Sequence, residues 1–129
     1  MKKPTGRELA AFCLGKTKEH SVYMWGEYGR PVSERIISAK AKKYPLRYTE
    51  KRQEKLRSLI GKGYVGCDCG GLYKYFLWSD GGRSPLRYRK ATDRNAAGMY
   101  SAATERGKAS ALPEIEGLIL YMPNHCGVY

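Results

Sequence analysis

Gly66-Cys67-Asp68-Cys69-Gly70-Gly71-Leu72-Tyr73-Lys74-Tyr75-Phe76-Leu77-Trp78 is the stretch from which the rest of the chain can be placed. From Asp68 onward, Cys69, Leu72, Tyr73, Phe76 and Leu77 recur at close to the helical period, which predicts a buried helix over 68–78. Ser79-Asp80-Gly81-Gly82 ends it. Cys69 therefore falls at a helix N-terminus, where unpaired amides and the backbone dipole favour a thiolate. Gly66, Gly70 and Gly71 are expected to leave the backbone uncrowded there, so that a substrate carbonyl can approach and amide donors can hold an oxyanion.

Upstream, Thr5-Gly6-Arg7-Glu8 has capping-box spacing, and Leu9, Ala10, Cys13 and Leu14 follow at helical intervals, predicting a first helix to about Gly15 with Cys13 as a buried structural thiol. Val22-Tyr23-Met24-Trp25-Gly26 reads as an extended aromatic piece closing into a loop at Gly26 and Gly29. From Ser33 a helix carries Ile37, Ala41 and Tyr44 on one face until Pro45, and Thr49 caps another with Leu56, Leu59 and Ile60 as a narrow stripe. Between Arg30 and Lys62 lie 11 basic residues, so this region is expected to be a charged helical insertion lying over the core. Downstream, Asp93 is placed to cap a helix presenting Ala96, Met99, Tyr100 and Ala103. Leu118 to Met122 then reads as a buried strand, Pro123-Asn124 as a turn, and His125 to Tyr129 as a second strand.

A chain of 129 residues is expected to form one domain, residues 1–129. No apolar run approaches the roughly 20 residues of a membrane-spanning helix. Met1-Lys2-Lys3 resembles a secretory n-region, but the apolar stretch Leu9–Leu14 is too short and too polar for a signal peptide. Net charge is +12, with 16 Lys or Arg against 6 acids in residues 1–62 and 8 against 6 in residues 63–129. Such a field attracts polyanions, whether wall polymers or nucleic acid. Four cysteines at 13, 67, 69 and 126 do not make a disulfide framework, and reduced thiols with separate roles are expected.

A thiolate nucleophile needs a base, and His125 opens a strand just after the Pro-Asn turn. The other histidine is His20. A strand packed on the helix of Cys69 would bring Cys69 and His125 together, the cysteine-plus-distant-histidine arrangement of thiol hydrolases.

Four motifs in order, Tyr23-Met24-Trp25-Gly26, Asp68-Cys69-Gly70-Gly71-Leu72, Glu116-Gly117 before an apolar strand, and His125-Cys126-Gly127-Val128-Tyr129, resemble the landmarks of the NlpC-type papain-like peptidoglycan endopeptidases. The resemblance implies an α+β papain-like fold, with N-terminal helices and a small antiparallel sheet on the cysteine helix. It further implies Cys69 as nucleophile, His125 as general base, Tyr23 near the oxyanion, and Asp68 shaping the subsite for the stem peptide. The implied substrate is an amide of the peptidoglycan stem, of the γ-D-glutamyl-diamino acid type, cleaved through an acyl-enzyme with no metal or other cofactor. A monomer acting at the bacterial cell wall is expected, released by phage lysis or another export route, with anionic wall polymers as partners of the basic region.

Three positions depart from that family's pattern. Gly70 stands where a serine is usual, Cys126 where a small aliphatic is usual, and the polar residue that orients the histidine belongs to a strand beyond Tyr129. A shortened chain with weak or no turnover is the resulting expectation. Strand alternation would point Cys126 away from His125 as a buried replacement.

The same residues offer two rival readings. Cys67, Cys69, His125 and Cys126 have zinc-ligand chemistry, but adjacent strand residues face opposite ways and a one-residue gap between cysteines is tighter than structural zinc sites use. Charge, 11 tyrosines and 2 tryptophans suit a nucleic-acid-binding module, but the aromatics fall mainly at expected core positions and no binding motif is present.

Overall fold

The computed structural model describes residues 3–129, so Met1 and Lys2 of the n-region-like start lie outside the described residues. Thr5 opens α1 (Gly6–Lys16) with a complete capping box: its hydroxyl accepts from the Glu8 amide and its own amide donates to the Glu8 carboxylate. Leu9 is buried, but Cys13 is only half-buried and Leu14 is 61% exposed. Phe12 does the packing that Leu14 was expected to do, edge-on to Tyr75 and Phe76 at 5.1 and 5.4 Å.

Three short strands, β1 (Ser21–Tyr23), β2 (Tyr28–Pro31) and β3 (Val65–Cys67), make a mixed sheet in the order β1-β3-β2, β1 parallel and β2 antiparallel to β3. The central strand is unforeseen, because Val65-Gly66-Cys67 is too short for a period to show. Its glycine has a packing reason: a Cβ on Gly66 would lie 2.3 Å from the Met24 sulfur.

Ser33 and Thr49 cap α2 (Glu34–Lys43) and α3 (Glu50–Arg57), as their hydroxyls predict, but α3 stops at Arg57 and leaves Leu59 and Ile60 in the turns that follow. The expectation of an insertion lying over the core is corrected here. Ile37 of α2, Leu56 of α3 and Tyr48 between them are buried together with Met24 and Val32, so these helices build a core cluster rather than cover one. Their apolar residues are few, and the surrounding charge hid how completely those few are buried.

After β3 comes α4 (Cys69–Trp78), with Phe76 and Trp78 buried. The next helix, α5 (Ala96–Ala102), is capped by Asn95 and not by Asp93, whose carboxylate is held by Lys74 and Tyr88. An antiparallel hairpin of β4 (Ile119–Met122) and β5 (His125–Val128) closes the fold, with Tyr121 opposite Cys126 and Met122 opposite His125. Asn124 takes φ 63°, the left-handed conformation that asparagine tolerates in a tight turn. β4 was expected to be buried, yet Leu120, Tyr121 and Met122 are exposed. Just before it, Gly117 at φ 89° touches Gly6 so closely that a Cβ would sit 2.3 Å from the Gly6 Cα, which seats the start of α1 against the Glu116-Gly117 turn.

The architecture is thus α+β, with five α-helices, a three-stranded mixed sheet and a two-stranded hairpin among the described residues. No helix among them is long and apolar enough to cross a membrane.

Candidate active site

Cys69 is the first residue of α4, and its side chain lines a cleft of about 630 Å³. Nothing precedes it in the helix to accept its amide, nor that of Gly70, so both first-turn N–H groups lack intrahelical partners. The cap residue Asp68 is more than a cap. One carboxylate oxygen accepts from the Gly71 amide at 2.6 Å and the other from the Gly26 amide at 2.8 Å, tying the Tyr23–Gly26 loop to the start of α4.

That loop is clamped from the opposite side by residues of the α2–α3 region. Lys40 donates to the Gly26 carbonyl at 2.6 Å, the Tyr48 hydroxyl to the Trp25 carbonyl at 2.6 Å, and the Arg52 guanidinium to the Tyr23 carbonyl. Arg47 lies over the Trp25 ring, 3.9 Å from its centroid. Several charges that read as a solvated basic surface are therefore engaged in holding the loop beside Cys69. Spacing along the chain gives no sign of this, because every partner is a backbone carbonyl or a ring more than a dozen residues away.

Tyr23 ends β1 with its phenol in the cleft, half exposed. Burial pushes its pKa up, and the charges of Asp68 and Cys69 push the same way, so the hydroxyl stays protonated and available as a donor. At the far end of the cleft, Tyr28 and Tyr88 stand against Trp78 with centroids 5.0 and 5.2 Å from its ring. Lys74 and Tyr88 both bind Asp93, at 2.7 and 2.8 Å. Burial alone would raise the Asp93 pKa, but these hydrogen bonds outweigh it and hold the carboxyl below its ordinary value.

The glycines around Cys69 are not equally open. A Cβ on Gly70 would meet nothing closer than the Met99 sulfur at 3.8 Å, but one on Gly71 would lie 1.9 Å from the Glu27 carbonyl oxygen. Gly66 is filled against by Met24. Of the three glycines expected to leave room for a substrate, only Gly70 has room even for a Cβ, and it is itself buried at the cleft wall.

Tyr23, Asp68, Cys69 and Gly70 thus share one cleft. His125 does not line it, although Pro123 and Asn124 immediately before it do. β5 packs on α4 as expected, but with the buried Cys126 inward, while His125 is exposed. Burial pushes the Cys126 thiol well up, with the charge and hydrogen bond of Cys69 adding to it. The prediction that Cys126 is buried, facing away from His125, agrees with this placement; the prediction that strand packing presents His125 to Cys69 does not. His20 is engaged elsewhere, edge-on to Tyr64 at 4.8 Å. Among the described residues no group of three or more His, Cys, Asp or Glu side chains could hold a metal ion, so Cys67, Cys69, His125 and Cys126 do not converge.

No family model matches the chain, and no curated protein or solved structure is significantly similar to it.

Proposed function

We propose that the chain is a papain-like cysteine hydrolase of the NlpC type, cleaving an amide of the γ-D-glutamyl-diamino acid kind in the stem peptide of bacterial peptidoglycan. The observation that carries this reading is Cys69 at the first position of α4, opening into a cleft that also holds the protonated phenol of Tyr23. In such a site the thiolate attacks the scissile carbonyl. The oxyanion that forms is met by the free first-turn amides of α4 and by the Tyr23 hydroxyl. An acyl-enzyme results when the amine leaves with a proton, and water then releases the acid.

His125 is the group proposed to supply and recover that proton. Its imidazole is exposed, on the opposite face of β5 from the buried Cys126 and just beyond Asn124 of the cleft rim, so this role requires β5 to shift when substrate is bound. Catalytic contacts that are long or misaligned in an empty site commonly tighten when substrate is bound. The enzyme would act at the bacterial cell wall, with the remaining exposed basic side chains of α2 and α3 favouring anionic wall polymers.

A test that does not need rapid turnover is intact-mass analysis after incubation with an activated ester of the stem peptide. The expected result is one acyl group on Cys69, absent from Cys69→Ala and released slowly in His125→Ala. Digests of purified peptidoglycan should in parallel release fragments with a new diamino-acid amine. Equal acylation of wild type and Cys69→Ala, or no acylation of wild type at all, would sink the reading.

A further inference from the structure

Cys126 is buried on the side of β5 that packs on α4, opposite Tyr121, which lines the cleft together with Cys69, and it feels the charge and hydrogen bond of Cys69; the other two thiols, Cys13 of α1 and Cys67 of β3, interact electrostatically with each other. The pairs differ in access. Cys67 is mostly buried, its thiol pushed up to about 11 by burial, with Asp68 and Cys13 adding to it, and neither Cys13 nor Cys67 lines the cleft. Cys69 does line it, as the first residue of α4, while Cys126 is 5% exposed on the strand β5 that packs on α4.

We infer that Cys69 and Cys126 form a site of reversible oxidation, Cys69 reacting first with a hydroperoxide at the cleft and Cys126 resolving it as an intramolecular disulfide between α4 and β5. In the first step the Cys69 thiolate attacks one peroxide oxygen, the O–O bond breaks, and the alkoxide or hydroxide leaves and takes up a proton. Cys69 is then a sulfenic acid, oxidised by two electrons. In the second step the Cys126 sulfur attacks the Cys69 sulfur, the S–O bond breaks, and the departing hydroxide combines with the Cys126 proton as water. An external dithiol reverses the link by exchange. Burial shields Cys126 from the oxidant and keeps it adjacent to the product of oxidation, and because the same burial disfavours the Cys126 thiolate, resolution is the slow step. The inference does not depend on the hydrolase reading, since it concerns two sulfurs and not a substrate.

The experiment treats the full chain with hydrogen peroxide, blocks free thiols, and maps non-reduced peptides by mass spectrometry. The expected result is a Cys69–Cys126 linked peptide within one chain, abolished by dithiothreitol. Cys126→Ser should lack the link and accumulate several-fold more Cys69 sulfenic acid, captured by a 1,3-dione. Because the wild-type map needs no variant, a failure of Cys126→Ser to fold leaves the test standing. Unlinked Cys69, a link between Cys13 and Cys67 in its place, or only intermolecular links would each overturn the inference.

Discussion

Gly70 and Gly71 adjoin each other at the start of α4 and face opposite constraints. At Gly71 a methyl group would overlap the Glu27 carbonyl oxygen, a backbone atom that is itself pinned by the Asp68 amide at 3.0 Å. Gly71→Ala must therefore push α4 off β2, and overpacking of this kind costs about 1–3 kcal/mol or more. Gly70 is buried too, but a Cβ there would make only ordinary contacts, at 3.8 Å or more, with Met99, Arg94 and Asp68, so a serine there should be neutral or stabilising by up to about 1 kcal/mol, since it removes a flexible residue from a helix. Urea unfolding of the two variants checks the pair: a lowered midpoint for Gly71→Ala and an unchanged or raised one for Gly70→Ser. The opposite order would show that the helix start can shift relative to Glu27. The sequence alone could not separate these glycines, because a glycine required by a neighbour and a glycine with room for a Cβ look alike until the neighbour is known. Asp68 was no more legible: the helical period was read from Asp68 itself, so its role as the cap of α4 was missed, and its second bond, to Gly26, depends on a loop 42 residues away.

That second bond makes the Tyr23–Gly26 loop and the first turn of α4 a single unit, and the basic residues of α2 and α3 complete it. Removing the carboxylate in Asp68→Ala deletes a helix cap and leaves the Gly26 amide without its acceptor, for a combined cost of about 1–3 kcal/mol. Asp68→Asn keeps one acceptor oxygen and should lose less. Hydrogen exchange gives the sharper readout, with the Gly26 and Gly71 amides losing protection in Asp68→Ala while amides in the middle of α2 keep theirs. If Gly26 stayed protected, the loop would be held by Lys40, Tyr48 and Arg52 alone. Elements with long signals were the ones the sequence disclosed: α1, α2 and α3 each begin at a Thr or Ser whose hydroxyl accepts from the third helical amide. Those it hid were β2 and β3, three or four residues long and broken by Gly29, Pro31 and Gly66; α5 was foreseen, but with Asp93 as its cap, a carboxylate that Lys74 and Tyr88 hold while Asn95 caps the helix. The hairpin was placed correctly along the chain, but periodicity could not say which of its faces would find a partner; alternation then set Cys126, not His125, against α4.

At the scale of the molecule the decisive difference is the place of the basic helices. An insertion lying over a core can be trimmed with little loss, whereas Ile37 and Leu56 are fully buried beside Met24, a residue of the Tyr23–Gly26 loop itself. Leu56→Ala and Ile37→Ala should each cost about 2–5 kcal/mol, the range for deleting a buried aliphatic side chain. Since small domains are stable by only about 5–15 kcal/mol, either change should visibly lower the urea midpoint, and both together should approach unfolding. Charge on the same helices behaves differently. Lys51 and Lys55 are exposed and make no ion pair among the described residues, so Lys51→Gln with Lys55→Gln should leave the midpoint within about 0.5 kcal/mol of wild type. What should change is salt-dependent retention on an anionic wall polymer, because the field around these helices weakens while the fold that clamps the cleft does not. If retention were unchanged in the double variant, the basic residues would serve chiefly the internal clamp of Lys40, Arg47 and Arg52; if the aliphatic variants kept full stability, these helices would be an insertion after all.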